Sequence, residues 1–136
     1  MPKKTLKVAA VQMRVDQDIE DNAARAVEKL KELALGGVEV AAFQEGFLYG
    51  YTSSPMFWRK LDPNRLIAAE TRIIRACKRY GIATVFGTAH MEGTTRFNSL
   101  LIVDRDGIVQ GRYGKIHLAG EKWCEPSQHL PIYTIC

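Results

Sequence analysis

Apolar residues recur along the chain with two distinct periods. From Leu6 to Met13 the run Val8-Ala9-Ala10-Val11 is nearly continuous, which reads as a strand covered on both faces and central in its sheet. Ile19, Ala23, Ala26, Val27, Leu30, Leu33 and Ala34 then recur at three and four, the period of an amphipathic helix. Asp16 and Asp18 offer N-caps and Gly36-Gly37 a stop. The other face of this helix, Glu20, Asp21, Arg25, Glu28, Lys29, Lys31 and Glu32, reads as solvated. A second apolar run from Val38 to Gln44 completes a βαβ unit whose two strands are parallel.

Gly46 to Pro55 is too rich in glycine and aromatic residues for either period and reads as a shaped loop. Asp62-Pro63 predicts a helix start, with Leu66, Ile73, Ala76, Cys77 and Tyr80 on one face and Gly81 as the stop. Ile82 to His90 reads as a third strand, Phe97 to Val103 as a fourth and Ile108 to Tyr113 as a fifth. The tight turns at Glu92-Gly93-Thr94-Thr95 and Asp104-Arg105-Asp106-Gly107 make the last three antiparallel. The pattern is βαβαβ followed by antiparallel strands, an α/β fold class, and residues 1–136 form a single domain. Gly114 to Pro131 leaves the last strand as a long irregular loop.

Composition narrows the functions. With 46% hydrophobic and 25% charged residues among 136, the chain is an ordinary globular one. The net charge of +4 is spread without a basic stripe, so no nucleic-acid partner is expected. No apolar run is long enough to cross a bilayer and no secretory leader is visible, so a cytoplasmic protein without a membrane partner is expected. Cys77, Cys124 and Cys136 lack metal or redox spacing, and Cys77 reads as a small core residue. His90 stands alone beside a turn and reads as a satisfied surface histidine, so no metal site is expected.

Candidate chemistry lies at two places. Glu45 ends the Val38–Gln44 strand, and in open α/β folds the carboxyl ends of strands line the ligand crevice. Lys115 and Glu121 lie close together in the long loop that follows the fifth strand. On local grounds Glu45 reads equally well as a solvated strand end, and the loop as ordinary charged surface.

Four segments change that balance. Val8-Ala9-Ala10-Val11-Gln12-Met13, Phe43-Gln44-Glu45-Gly46-Phe47 with Gly50-Tyr51, Asn98-Ser99, and Tyr113-Gly114-Lys115-Ile116-His117-Leu118 with Glu121 together resemble the nitrilase, or carbon-nitrogen hydrolase, superfamily. The resemblance covers nearly the whole chain in the right order. It implies an αββα sandwich, of which this chain supplies the N-terminal half, and a glutamate, a lysine and a cysteine acting without cofactor or metal. Carried over, the glutamate is Glu45, the lysine Lys115, and Glu121 the supporting glutamate. A thiolate would attack an amide, N-carbamoyl or nitrile carbon, a carboxylate would move the proton, and an ammonium would stabilise developing charge.

Three positions depart from the family pattern. Gly114 stands where a polar or basic residue usually precedes the lysine, Gln44 where proline is usual, and Ser127 where glycine commonly follows proline. The family's nucleophile lies in a later strand resembling Ile-Cys-Tyr-Asp, and Cys136 follows Lys115 too closely to fill that place. The expectation is therefore a chain that carries base and lysine but lacks the thiol, is truncated before it, and is inactive alone. A small α/β binding or assembly module that kept this scaffold is the alternative. Tyr49, Tyr51 and Trp123 are candidates for a substrate pocket. A sandwich half with an uncovered sheet face is expected to associate as a homo-oligomer.

Overall fold

Strand order in the sheet follows the order of the chain. The computed structural model describes residues 5–135 and contains β1 (Val8–Val11), α1 (Ile19–Leu35), β2 (Val40–Phe43), α2 (Phe57–Lys60), α3 (Pro63–Tyr80), β3 (Ala83–Glu92), β4 (Thr95–Val103) and β5 (Val109–Gly114). The five strands form one sheet in the order β1-β2-β3-β4-β5. β1, β2 and β3 run parallel, and β4 and β5 return antiparallel to their predecessors. Two crossovers of the same hand in one direction place α1 and α3 on the same face, where they pack against each other.

The helix ends obey their local chemistry. Asp18 caps α1, its carboxylate accepting the Asp21 N–H at 3.0 Å. Asp16, the other candidate cap, instead pairs with Arg25 at 3.1 Å. Asp62 caps α3 by accepting the Asn64 N–H at 2.9 Å, and Gly81 ends it in the left-handed conformation at φ 66°. The single turn α2 falls where the sequence offered no periodicity.

Alternation along the strands separates two unlike faces. Val11, Ala41, Phe43, Thr84, Phe86, Leu101 and Val103 share the helix-covered face and are buried against residues such as Leu30, Ile73 and Cys77. Each large apolar side chain so buried is worth roughly 1.5–3 kcal/mol. Burial pushes the Cys77 thiol up to about 12, as expected of a core thiol. Glu70, buried on α3, accepts the Thr88 hydroxyl at 2.6 Å and pairs with Arg112 at 2.6 Å, tying the helix to β3 and β5. The opposite face carries Val8, Ala10, Val40, Ala42, Val85 and Leu100, none of them buried.

The expectation that β1 is central is corrected. It is the edge strand of this sheet, paired only with β2 among the described residues, and Val8 is 64% exposed. A run of small apolar residues lacks alternation whether its second face is covered or merely apolar, so periodicity cannot tell the two cases apart.

Candidate functional site

β2 delivers Glu45 to the carboxyl end of the sheet. Beyond Phe43, the Gln44 side chain continues the ladder to β1 by donating to the Met13 carbonyl and accepting the Met13 N–H at 3.3 Å. The proline usual here would make neither bond. Gly46, at φ 63°, then folds the loop back over the open face of β3, where the Leu48 N–H reaches the Gly87 carbonyl at 2.9 Å. Gly87 is what allows this approach, because a Cβ there would lie 2.3 Å from the Gly46 nitrogen and 2.6 Å from the Gln44 oxygen.

β5 delivers Lys115 to the same end, because it runs parallel to β3. The Lys115 N–H extends the β4–β5 ladder to the Asn98 carbonyl at 2.8 Å. The chain then turns through Ala119, whose N–H reaches Glu121 Oε2 at 2.6 Å, and comes back so that the Ser127 N–H meets the Lys115 carbonyl at 2.9 Å. Two of the departures from the family pattern meet here. A Cβ on Gly114 would lie 2.8 Å from that of Ser127, so the glycine is what lets the returning loop approach β5 this closely.

The three sequence candidates converge. Lys115 Nζ lies 2.7 Å from Glu45 Oε1 and 2.6 Å from Glu121 Oε1. Asn98 Nδ2 donates to the same two oxygens, at 2.7 Å and 3.3 Å, and Tyr51 adds its hydroxyl to Glu121 Oε1 at 3.1 Å.

The two carboxylates are not equivalent. Burial alone would raise the Glu121 pKa, but Lys115, its own N–H and that of Ala119, and Tyr51 hold it down at about 2. Its side chain is 0% exposed, so it is a fixed anion. Glu45 is 46% exposed, and its Oε2 makes no hydrogen bond among the described residues. Both of its bonds, to Lys115 and Asn98, fall on Oε1. Burial works against the Lys115 ammonium, yet both carboxylates outweigh it and raise its pKa, so the lysine stays charged.

A cavity of about 390 Å³ opens on this cluster, within the range of small-molecule sites. Leu100, Tyr113, Ile116, His117 and Leu130 wall it beside Glu45 and Lys115. Tyr49, Tyr51 and Trp123 stand outside that lining: Tyr49 is buried behind Asn98, Tyr51 binds Glu121, and Trp123 stacks on Trp58 at 5.8 Å and donates to the Thr52 carbonyl. A larger cavity of about 540 Å³, lined by His90, Arg112 and Tyr133, holds neither Glu45 nor Lys115.

Neither described free thiol fits a nucleophile. Cys77 lies in the helix-side core, and Cys124 is buried in the loop after Trp123 with its pKa raised by burial. Cys136 lies outside the described residues. His90 is satisfied by Ser99 at 2.9 Å and stacked on Phe97, half-buried rather than on the surface, and burial lowers its pKa. Among the described residues no three metal-ligating side chains gather, and no helix is long and apolar enough to cross a membrane.

The sequence model of the carbon-nitrogen hydrolase family matches residues 7–133. The chain belongs to the carbon-nitrogen hydrolase family. Among proteins similar to this hydrolase-family chain, an aliphatic nitrilase of Rhodococcus rhodochrous is 31% identical over 129 residues, covering 82% of this chain and 34% of its own. The N-carbamoylputrescine amidase of Arabidopsis thaliana is 24% identical over 119 residues, covering 85% and 40%. This chain thus spans about a third to two fifths of those relatives. An amidase from Nesterenkonia sp. shares its fold with a TM-score of 0.84 at 23% identity, over 93% of this chain and 50% of that one. A further structure of that amidase shows Michael addition of acrylamide at its active site cysteine. The mixed α/β fold with its five-stranded sheet matches the N-terminal portion of that amidase.

The sequence marked Asn98 within a motif and Tyr49 as a pocket candidate, but not that Asn98 bonds both carboxylates and Tyr49 bonds Asn98. The available signal was a buried-strand asparagine, flanked by Phe97 and Leu100-Leu101-Ile102-Val103, whose amide needs partners.

Proposed function

We propose that this chain carries the proton-transfer and charge-stabilising half of a hydrolase that cleaves an amide, N-carbamoyl compound or nitrile by thiol attack. The observation that carries the reading is the convergence of Glu45, Lys115 and Glu121 beside an open cavity. In this reading Glu45 Oε2 takes the proton of a cysteine thiol, and the thiolate bonds to the substrate carbon. With an amide, negative charge develops on the carbonyl oxygen and a Lys115 N–H stabilises it. Glu45 returns its proton to the leaving nitrogen as the C–N bond breaks, then takes one from the water that attacks the thioester and hands it to the sulfur as the C–S bond breaks. Glu121, too well bonded to accept a proton near neutrality, holds the lysine in place.

The thiol comes from neither Cys77 nor Cys124 in this reading, and a segment packing against the open sheet face beside Glu45 supplies it. Support comes from the burial of both cysteines and from the half-length coverage of the Nesterenkonia amidase. The test assays short aliphatic amides, N-carbamoyl amines and nitriles with the chain alone and with the chain extended by a strand resembling Ile-Cys-Tyr-Asp. Turnover is expected only in the extended form, with release of ammonia. A folded extended form inactive on the whole panel would favour the binding module instead. Turnover by the chain alone that Cys136→Ser stops would make Cys136 the nucleophile.

A further inference from the structure

We propose that Asn98, locked by Tyr49, is the positioning residue that keeps Glu45 and Lys115 in register, leaving one oxygen of Glu45 free for proton transfer. The catalytic consequence rests on the hydrolase reading, whereas the lock itself rests on geometry alone.

Asn98 is 2% exposed on the open face of β4, where the loop after β2 covers it. Its amide has three partners. Nδ2 donates to Glu45 Oε1 and to Glu121 Oε1, and Oδ1 accepts the Tyr49 hydroxyl at 3.0 Å. An amide has donors on one atom only, so the reverse orientation would set its oxygen against two carboxylates and lose both of those bonds. The carboxylates, which only accept, therefore claim the nitrogen, and the Tyr49 hydroxyl completes the lock by donating to the oxygen that is left. Burial first, then the negative charges of Glu45 and Glu121, raise the Tyr49 pKa, which keeps that donor protonated. Tyr49 is itself held, 3% exposed, between Phe57 at 4.7 Å and Trp123 at 5.5 Å.

The arrangement acts on Glu45 in particular. Its backbone leaves the sheet at Gly46, and its side chain is the most exposed of the cluster, so Lys115 alone would leave it free to swing about Oε1. A second bond to the same oxygen removes that freedom and directs Oε2 away from the cluster. Glu121 needs no such help, having four other donors. Asn98 is therefore a bracket for the half-exposed carboxylate, anchored on the buried one.

Two measurements test this. On the 136-residue chain, exchange of the Asn98 side-chain amide protons, followed by NMR, is expected to be slow and to accelerate about tenfold or more in Tyr49→Phe, which removes one buried bond without changing shape. Unchanged exchange overturns the lock. In an extended, active form, Tyr49→Phe is expected to lower kcat about tenfold and Asn98→Ala about a hundredfold, each with KM within threefold, because misplacing a reacting group by about 1 Å costs that much. The double variant is expected to match Asn98→Ala alone. Losses that multiply would overturn the inference, since independent packing defects add in free energy. If no extended form turns over any substrate, the hydrolase reading fails in its own assay, and the exchange rates still decide the lock.

Discussion

Lys115 Nζ and Glu45 Oε1 lie 2.7 Å apart although 70 positions separate the residues, and Glu121 lies on the other side of the ammonium at 2.6 Å. One cation between two carboxylates leaves the cluster one negative charge in excess. That charge resides on the half-exposed member, Glu45, because Glu121 is saturated.

The chemistry and the stability of the cluster are thereby separable. Exposed ion pairs contribute about 0–1 kcal/mol, so Glu45→Gln is expected to leave the urea midpoint nearly unchanged. In an active form it is expected to lower kcat about a thousandfold, within the range for loss of a proton-transfer group. Lys115→Ala is expected to match it in kcat while also lowering stability, because it strips Glu121 of its counter-charge. Steady-state kinetics beside urea melts read both effects.

Glu121→Gln addresses the buried side. Breaking a buried pair from one partner costs about 3 kcal/mol, and the urea midpoint should fall accordingly. The pH dependence has a definite sign. The Glu121 carboxyl drops from its ordinary 4.5 to about 2 on folding, so its contribution is complete above 4.5 and is lost as pH falls toward 2. Glu20, held low by its hydrogen bond to Arg65, titrates in the same window. The readout is therefore the difference between wild type and Glu121→Gln, which should shrink between pH 4.5 and 2. For Lys115, whose pKa is raised, the contribution is complete below its ordinary 10.5 and is lost as pH rises past the folded value.

Gly87→Ala tests the close approach beneath the site. All three atoms nearest the new Cβ are backbone, at 2.3 to 2.8 Å, so the Glu45 turn must lift off β3. Overpacking of this kind costs about 2 kcal/mol. The expected result is a lower melting temperature together with a lower kcat in an active form, from a methyl group that touches no catalytic atom.

The thiols make a simpler prediction. Cys77, pushed up to about 12 by burial, and Cys124, raised likewise, should react with iodoacetamide far more slowly near neutral pH than a free thiol and speed up only on unfolding. Mass-spectrometric peptide mapping separates the two sites.

The uncovered sheet face predicts self-association. Val8, Ala10, Ala42 and Leu100 present apolar surface without a covering layer among the described residues. Light scattering is expected to show a mass that grows with concentration, and Val8→Lys with Leu100→Lys should suppress it.

What could be read from the sequence was whatever depends on neighbours along the chain. Asp18 and Asp62 announce their helices because a cap needs only a side chain and the next turn, and Gly81 stops α3 for the same reason. Glu45 and Lys115 were found because strand ends and motif spacing mark them. β1 was misplaced because Val8-Ala9-Ala10-Val11 records that both faces are apolar, not whether both are covered. Asn98 was marked only as part of a motif and Tyr49 only as a pocket candidate, because the bond between them is a contact across 49 positions that no local pattern encodes. Gly114 and Ser127 looked like two separate departures until the fold brought them face to face.

A sheet laid down in chain order has a consequence for synthesis. Each strand after the first finds its partner already made, so β1, β2 and β3 can assemble before β5 exists, although each of these parallel pairings must first close a long helical crossover. The charged cluster is the exception, since Glu45 waits until Lys115 and Glu121 have emerged. Substitutions there are therefore expected to quicken opening more than they slow assembly.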